Sequence, residues 1–143
     1  MTESTLLRPR LTPAWCLTLL FGLVCAGIIV SANIGAARPM FLALKQVPFA
    51  DKIAHFSLVG ILSLLLNSAL GAATVRVAGQ TLLKGNAFLV VLATVEELSN
   101  LIQPCRGFSL ADLLFNYLGI FAFGWLSLIV VQKSRQRTAA RLV

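Results

Sequence analysis

Residues 96–119 read EELSNLIQPCRGFSLADLLFNYLG, and they interrupt an otherwise apolar chain. Glu96, Glu97, Asn100, Gln103, Arg106, Asp112 and Asn116 gather at or beside a QPCRGFS bend between two apolar runs. Three of the chain's five acidic residues fall here, in a sequence that is only 12% charged. A carboxylate costs roughly 2.5–3.5 kcal/mol at the centre of a membrane helix and less near its end. Ionisable groups kept in such surroundings point to function by default. The rest of the chain reads as the scaffold that presents this bend.

The runs on either side set the fold class. One occupies residues 85–102 before the bend and another residues 110–131 after it. Two more lie upstream, at 15–34 and 53–73. Each is close to the ~20 residues that cross a hydrocarbon core about 30 Å thick. With 58% hydrophobic residues among 143 and a mean hydropathy of +0.88, the chain is too apolar for a soluble domain. An all-α, integral-membrane four-helix bundle is expected, forming a single domain over residues 1–143. The first run follows Arg8 and Arg10, as a signal peptide's would. It exceeds the usual apolar core of about 7–15 residues and ends only loosely in an A-x-A pattern, so an uncleaved helix is expected. Residues 38–52, with Pro39 and Pro48, read as a loop containing a short amphipathic segment around 40–47. Residues 74–84 read as a short polar connection.

A net charge of +7 raises nucleic acid as a partner. The basic residues lie in tails and loops, with no basic helix or aromatic platform, so none is expected. Their distribution orients the chain instead. With the N-terminus inside, the cytoplasmic segments hold Arg8, Arg10, Arg76, Lys84, Lys133, Arg135, Arg137 and Arg141. The outer segments hold Arg38, Lys45, Lys52 and Arg106, and this imbalance puts both termini in the cytoplasm. The three cysteines make no disulfide framework. Cys16 and Cys25 read as small packing residues; Cys105 sits in the polar bend, where a reactive thiol is the alternative, but with no His or Cys at ligand spacing an inert residue is expected.

This topology brings the start of the second run, the end of the third and the start of the fourth to the outer side. Asp112, Asn116 and Gly119, at spacings of four and three, share one helix face. Gly119 on that stripe permits close helix approach. Glu97 and Asn100 share a face, as do Lys52 and His55, whereas Glu96 points about 100° away from Glu97. Ser109, three residues before Asp112, is placed to cap the fourth helix.

The series DKIAHF at 51–56, E-x-x-N-x-x-x-P-x-R at 97–106 and FSLADLLFNYLG at 108–119 resembles the VanZ-like family of small bacterial membrane proteins. The likeness covers about residues 51–125, and the second and third elements carry most of its specificity. Its pattern falls on Lys52, His55, Glu97, Asn100, Arg106, Asp112, Asn116 and Gly119. Asn100 stands where the family usually has Gln, and Val59 where a second-helix tyrosine is often found. The resemblance implies a multi-pass protein of the bacterial plasma membrane with a cell-envelope role. The family's namesake is associated with resistance to the glycopeptide teicoplanin.

Three readings of the cluster follow from its chemistry. As a binding site for an anionic envelope lipid or lipid-linked precursor, Lys52 and Arg106 would hold a phosphate or carboxylate. Asn100 and Asn116 would bond sugar or peptide groups, with Glu97 orienting the arginine. His55, Asp112 and Asn116 complete that ligand set. As an enzyme, the chain would use His55 beside Glu97 or Asp112 as base or nucleophile, with Arg106 stabilising developing charge. As a structural device, the cluster would pin three helices together. One histidine with several carboxylates suits a hard divalent cation, but there is no second histidine for zinc, and no metal or cofactor is assigned. A transporter would need dimerisation, so a homo-oligomer is left open.

Overall fold

The computed structural model describes residues 13–103 and 107–140. Along the chain come α1 (Pro13–Asn33), α2 (Arg38–Lys45), α3 (Ala50–Ala69), β1 (Thr74–Val77), β2 (Gln80–Leu83), α4 (Lys84–Ser99) and α5 (Leu110–Ala140). Three of these helices, α1, α3 and α5, are long and apolar enough to cross a membrane. Their outer faces leave Leu20, Leu23, Leu118, Phe121 and Trp125 exposed. Such faces suit hydrocarbon better than water, and helices satisfy their own backbone groups there. The mostly helical, membrane-type architecture expected from composition is present, and α2 falls where the amphipathic segment was expected.

The third apolar run forms α4, which has 16 residues and is about 24 Å long. It is shorter than the ~20 residues of a typical span. It lies against α3 and α5, with Phe88, Val91, Leu92, Val95 and Leu98 exposed on its outer side.

Three expectations need correction. The all-α assignment misses an antiparallel hairpin, in which Thr74 pairs with Leu83 and Val77 with Gln80. Ala78 and Gly79, with φ of 49° and 80°, make the two-residue turn that hairpins prefer, and Thr74, Val75 and Val77 suit a strand. Helix α3 ends at Ala69 rather than at 73, because Gly71 and Ala72 turn left-handed at φ 61° and 58°. Ala72 N–H then donates to Asn67 O at 2.8 Å and closes the helix end. Helix α5 continues to Ala140 rather than stopping at 131. Its basic extension, QKSRQRTAA, contains good helix formers and no breaker.

Contacts along their lengths show that α3 and α5 run parallel, with α4 crossing them in the opposite sense. Leu89, Ala93 and Ile120 form the buried core, packed by Val59, Leu62, Leu66, Val90 and Tyr117. Closest approach falls at Gly119, where an added Cβ would collide with the Phe56 carbonyl. Nearby, Phe56 and Phe123 meet edge to face with ring centres 5.7 Å apart.

A polar knot that sequence reading did not single out lies further along the same interface. Ser63 Oγ donates within range of Ile120 O (2.9 Å) and of Asn86 Oδ1 (3.0 Å). Asn67 Nδ2 donates to Asn86 Oδ1 at 2.7 Å and to Ser63 O at 2.9 Å, while Asn67 Oδ1 accepts from Gly85 N–H at 3.0 Å. All three side chains are buried, and Asn86 packs on Gly124, where a Cβ would strike its amide. The knot therefore ties α3, α4 and α5 together within the bundle.

Gly119→Ala is expected to lower stability by about 1–3 kcal/mol, the usual range for overpacking. The unfolding midpoint in detergent checks this, and an unchanged midpoint would mean that α3 and α5 do not touch at this level.

Candidate functional site

The N-terminal ends of α3 and α5 and the C-terminal end of α4 meet at one end of the bundle. Of the residues expected there, Lys52, His55, Glu97, Asn100, Asp112 and Asn116 are brought to that end. Arg106 and its neighbour Cys105 lie outside the described residues.

Helix α3 presents Lys52 and His55 on one face, three residues apart, toward Asp112 and Asn116 on α5. Lys52 Nζ donates to Asp51 Oδ2 at 3.0 Å and to Asp112 Oδ1. Asp51 also accepts from the Lys52 N–H through Oδ1 at 2.9 Å, so it ties down both the backbone and the ammonium. Asp51 was not assigned to the site from sequence; its position immediately before Lys52 was the available signal. His55 Nδ1 donates to Asn116 Oδ1 at 3.2 Å, and its Nε2 lies 3.8 Å from Asp112 Oδ2. That second separation is an ion-pair distance, too long for a hydrogen bond. Glu97, one of the expected partners of His55, is engaged elsewhere.

Glu97 is 1% exposed and Asn100 is 2% exposed. Glu97 Oε1 accepts from Ser109 N–H at 2.7 Å, and Oε2 accepts from Asn100 Nδ2 at 3.3 Å. Ser109 caps α5 as expected, its Oγ accepting from Asp112 N–H at 3.2 Å. In a complete capping box the acid three residues on would return a bond to the Ser109 N–H. Here Glu97 of α4 takes that bond, which leaves the Asp112 carboxylate for α3. A continuous chain of contacts then runs Asn100–Glu97–Ser109–Asp112, and from Asp112 to Lys52 and His55.

One atom is left over. Asn100 Oδ1 has no donor among the described residues, one of two such buried side-chain atoms, the other being Ser68 Oγ. A buried acceptor without a donor costs about 1–3 kcal/mol, so it is a place where an incoming N–H or O–H gains most.

The surroundings are apolar. Phe49, Ile53, Leu98, Leu101, Ile102, Leu110 and Leu114 are exposed around this end, and α2 adds exposed Met40 and Leu42 beside it. A short helix with Arg38 and Lys45 at its ends and apolar residues between them suits a membrane interface. Comparison with family models, with curated proteins and with solved structures gives no match to this chain. The chemistry of the site is therefore read from its own residues.

Glu97→Leu removes the acceptor for Ser109 N–H and Asn100 Nδ2 and is expected to cost about 1–3 kcal/mol. Glu97→Gln keeps a carbonyl oxygen for Ser109 and is expected to cost less than half as much. Thermal unfolding of both variants in detergent checks this; equal losses would assign the role to the charge and not to the acceptor.

Proposed function

We propose that the chain is a VanZ-like, four-span membrane protein of the bacterial plasma membrane, with both termini in the cytoplasm. It binds the headgroup of an anionic envelope lipid or lipid-linked precursor at the outer end of α3, α4 and α5. The observation that carries this reading is the unpartnered Asn100 Oδ1 beside the buried Glu97 carboxylate, at the apolar-rimmed end of a membrane-type bundle. Hydroxyl, amide or ammonium donors of a headgroup meet those acceptors. The anionic part meets Lys52 and Arg106. Lys52 already faces two carboxylates, so a phosphate reaches it by taking the place of Asp51. Asp51 is the more exposed of the pair, at 34% against 16% for Asp112. The envelope role carries with it the link to glycopeptide resistance that the family resemblance implies.

A helix-pinning role is the second reading, and the near-complete pairing of Lys52, Asp51 and Asp112 favours it. Interhelical hydrogen bonds in membranes contribute only about 0.6 kcal/mol each, so so large a cluster exceeds what packing needs. An enzyme acting on the same headgroup would use His55, whose Nε2 is held at 3.8 Å from Asp112.

Native mass spectrometry of the gently purified chain, beside Glu97→Gln and Arg106→Ala, tests the binding reading. A headgroup class retained by the wild type is expected to fall at least about tenfold in each variant, as for loss of a charge-assisted contact. Equal, unselective lipid retention by all three would leave the helix-pinning role.

A further inference from the structure

The opposite end of the bundle carries a separate feature. Gly71 on one side and Leu128, Val131, Gln132, Arg135 and Gln136 of α5 on the other line a groove of about 380 Å³. Leu128, Gln132 and Arg135 follow one another at spacings of four and three residues, so the groove runs along one stripe of α5. That stripe begins at Trp125, which is 65% exposed on the apolar part of the helix. It passes from apolar to polar within three turns.

Arg135 Nη2 donates to Gly71 O at 3.0 Å, which fixes the guanidinium at the mouth of the groove. A guanidinium has five donors, so this bond leaves others for a ligand. Lys133, Arg137, Arg76 and Lys84 belong to the same end. Among the described residues every acidic group, Asp51, Glu96, Glu97 and Asp112, belongs to the other. A groove with an apolar floor toward the membrane and a cationic mouth matches an amphiphile of negative charge. A nucleic acid would find no use for Leu128 and Val131, whereas a lipid brings phosphate and acyl chain in the order that the stripe presents.

We propose that this groove holds one anionic phospholipid. Its phosphate lies on Arg135 with Gln132 and Gln136, and the start of an acyl chain lies on Leu128 and Val131. The site is independent of the headgroup site at the other end. It also differs from a diffuse attraction of basic residues to an acidic leaflet, because it assigns the selectivity to Arg135 and leaves out Lys133.

Trp125 provides the test, since Trp15 is the chain's other tryptophan and is removed as Trp15→Phe. The full chain is reconstituted in phosphatidylcholine vesicles containing either brominated phosphatidylglycerol or brominated phosphatidylcholine, and quenching of Trp125 is read. The brominated anionic lipid is expected to compete about fivefold better for the site, the factor typical of one basic residue near an acidic surface. Arg135→Gln is expected to bring the two lipids to parity, whereas Lys133→Gln and Glu97→Gln keep the preference. Parity in the parent chain, or a preference that survives Arg135→Gln, overturns the proposal. So does an equal loss in Lys133→Gln, which would assign the preference to the basic end as a whole. Loss in Glu97→Gln would move the lipid to the other end and overturn it as well.

Discussion

At Gly119 the backbone of α5 lies against the carbonyl of Phe56 on α3, and only hydrogen fits between them. Helices in lipid gain little from burying apolar surface against each other, because the lipid tails are as apolar as leucine. What holds them is close packing and polar contact, and both require such an approach. Lys52 meets Asp112, His55 meets Asn116, and Ser63 reaches Ile120 O, all along the seam that this contact sets. A larger residue at 119 would part the two helices and separate each of these pairs. The polar end and the inner knot therefore depend on one missing methyl group.

The two polar clusters along that seam differ in how completely their hydrogen-bonding groups are matched. In the inner knot, Ser63, Asn67 and Asn86 leave no buried side-chain atom without a partner among the described residues. Its bonds join three helices and are complete within the protein. At the other end, the bonds of Glu97 and Asp112 hold Ser109 at the start of α5, yet Asn100 keeps an oxygen unmatched among the described residues. A saturated cluster has little to offer a ligand; an unsaturated one does. The exchange of capping partners at Ser109 contributes to this, because it frees Asp112 to face Lys52 and His55.

Much of this was legible in the sequence, for physical reasons. Apolar runs of about 20 residues announce membrane-type helices, and spacings of three and four placed Asp112, Asn116 and Gly119 together, as did those of Lys52 with His55 and Glu97 with Asn100. Other features depended on tertiary context. The partner of Lys52 is set by how α3 meets α5, and the helix period along either one says nothing about it. The hairpin was hidden because residues 74–84 are short and mixed, and its signals, β-branched residues around Ala78–Gly79, are individually weak. The inner knot had a signal in Asn67 and Asn86, two amides inside apolar runs. Their meeting across 18 intervening positions depends on the hairpin that returns the chain. The end of α5 was misjudged because hydropathy marks where a helix leaves lipid and not where it stops being helical.

That unbroken α5 has an electrical consequence. Together with the hairpin it gathers Arg76, Lys84, Lys133, Arg135 and Arg137 at one end, unrelieved by any acid among the described residues there. Carrying one elementary charge across a membrane held at 100 mV involves roughly 2.3 kcal/mol. Five such charges on one rigid unit make inversion of the folded bundle prohibitively uphill when that end already faces the negative compartment. In that orientation the membrane potential itself resists inversion of the bundle.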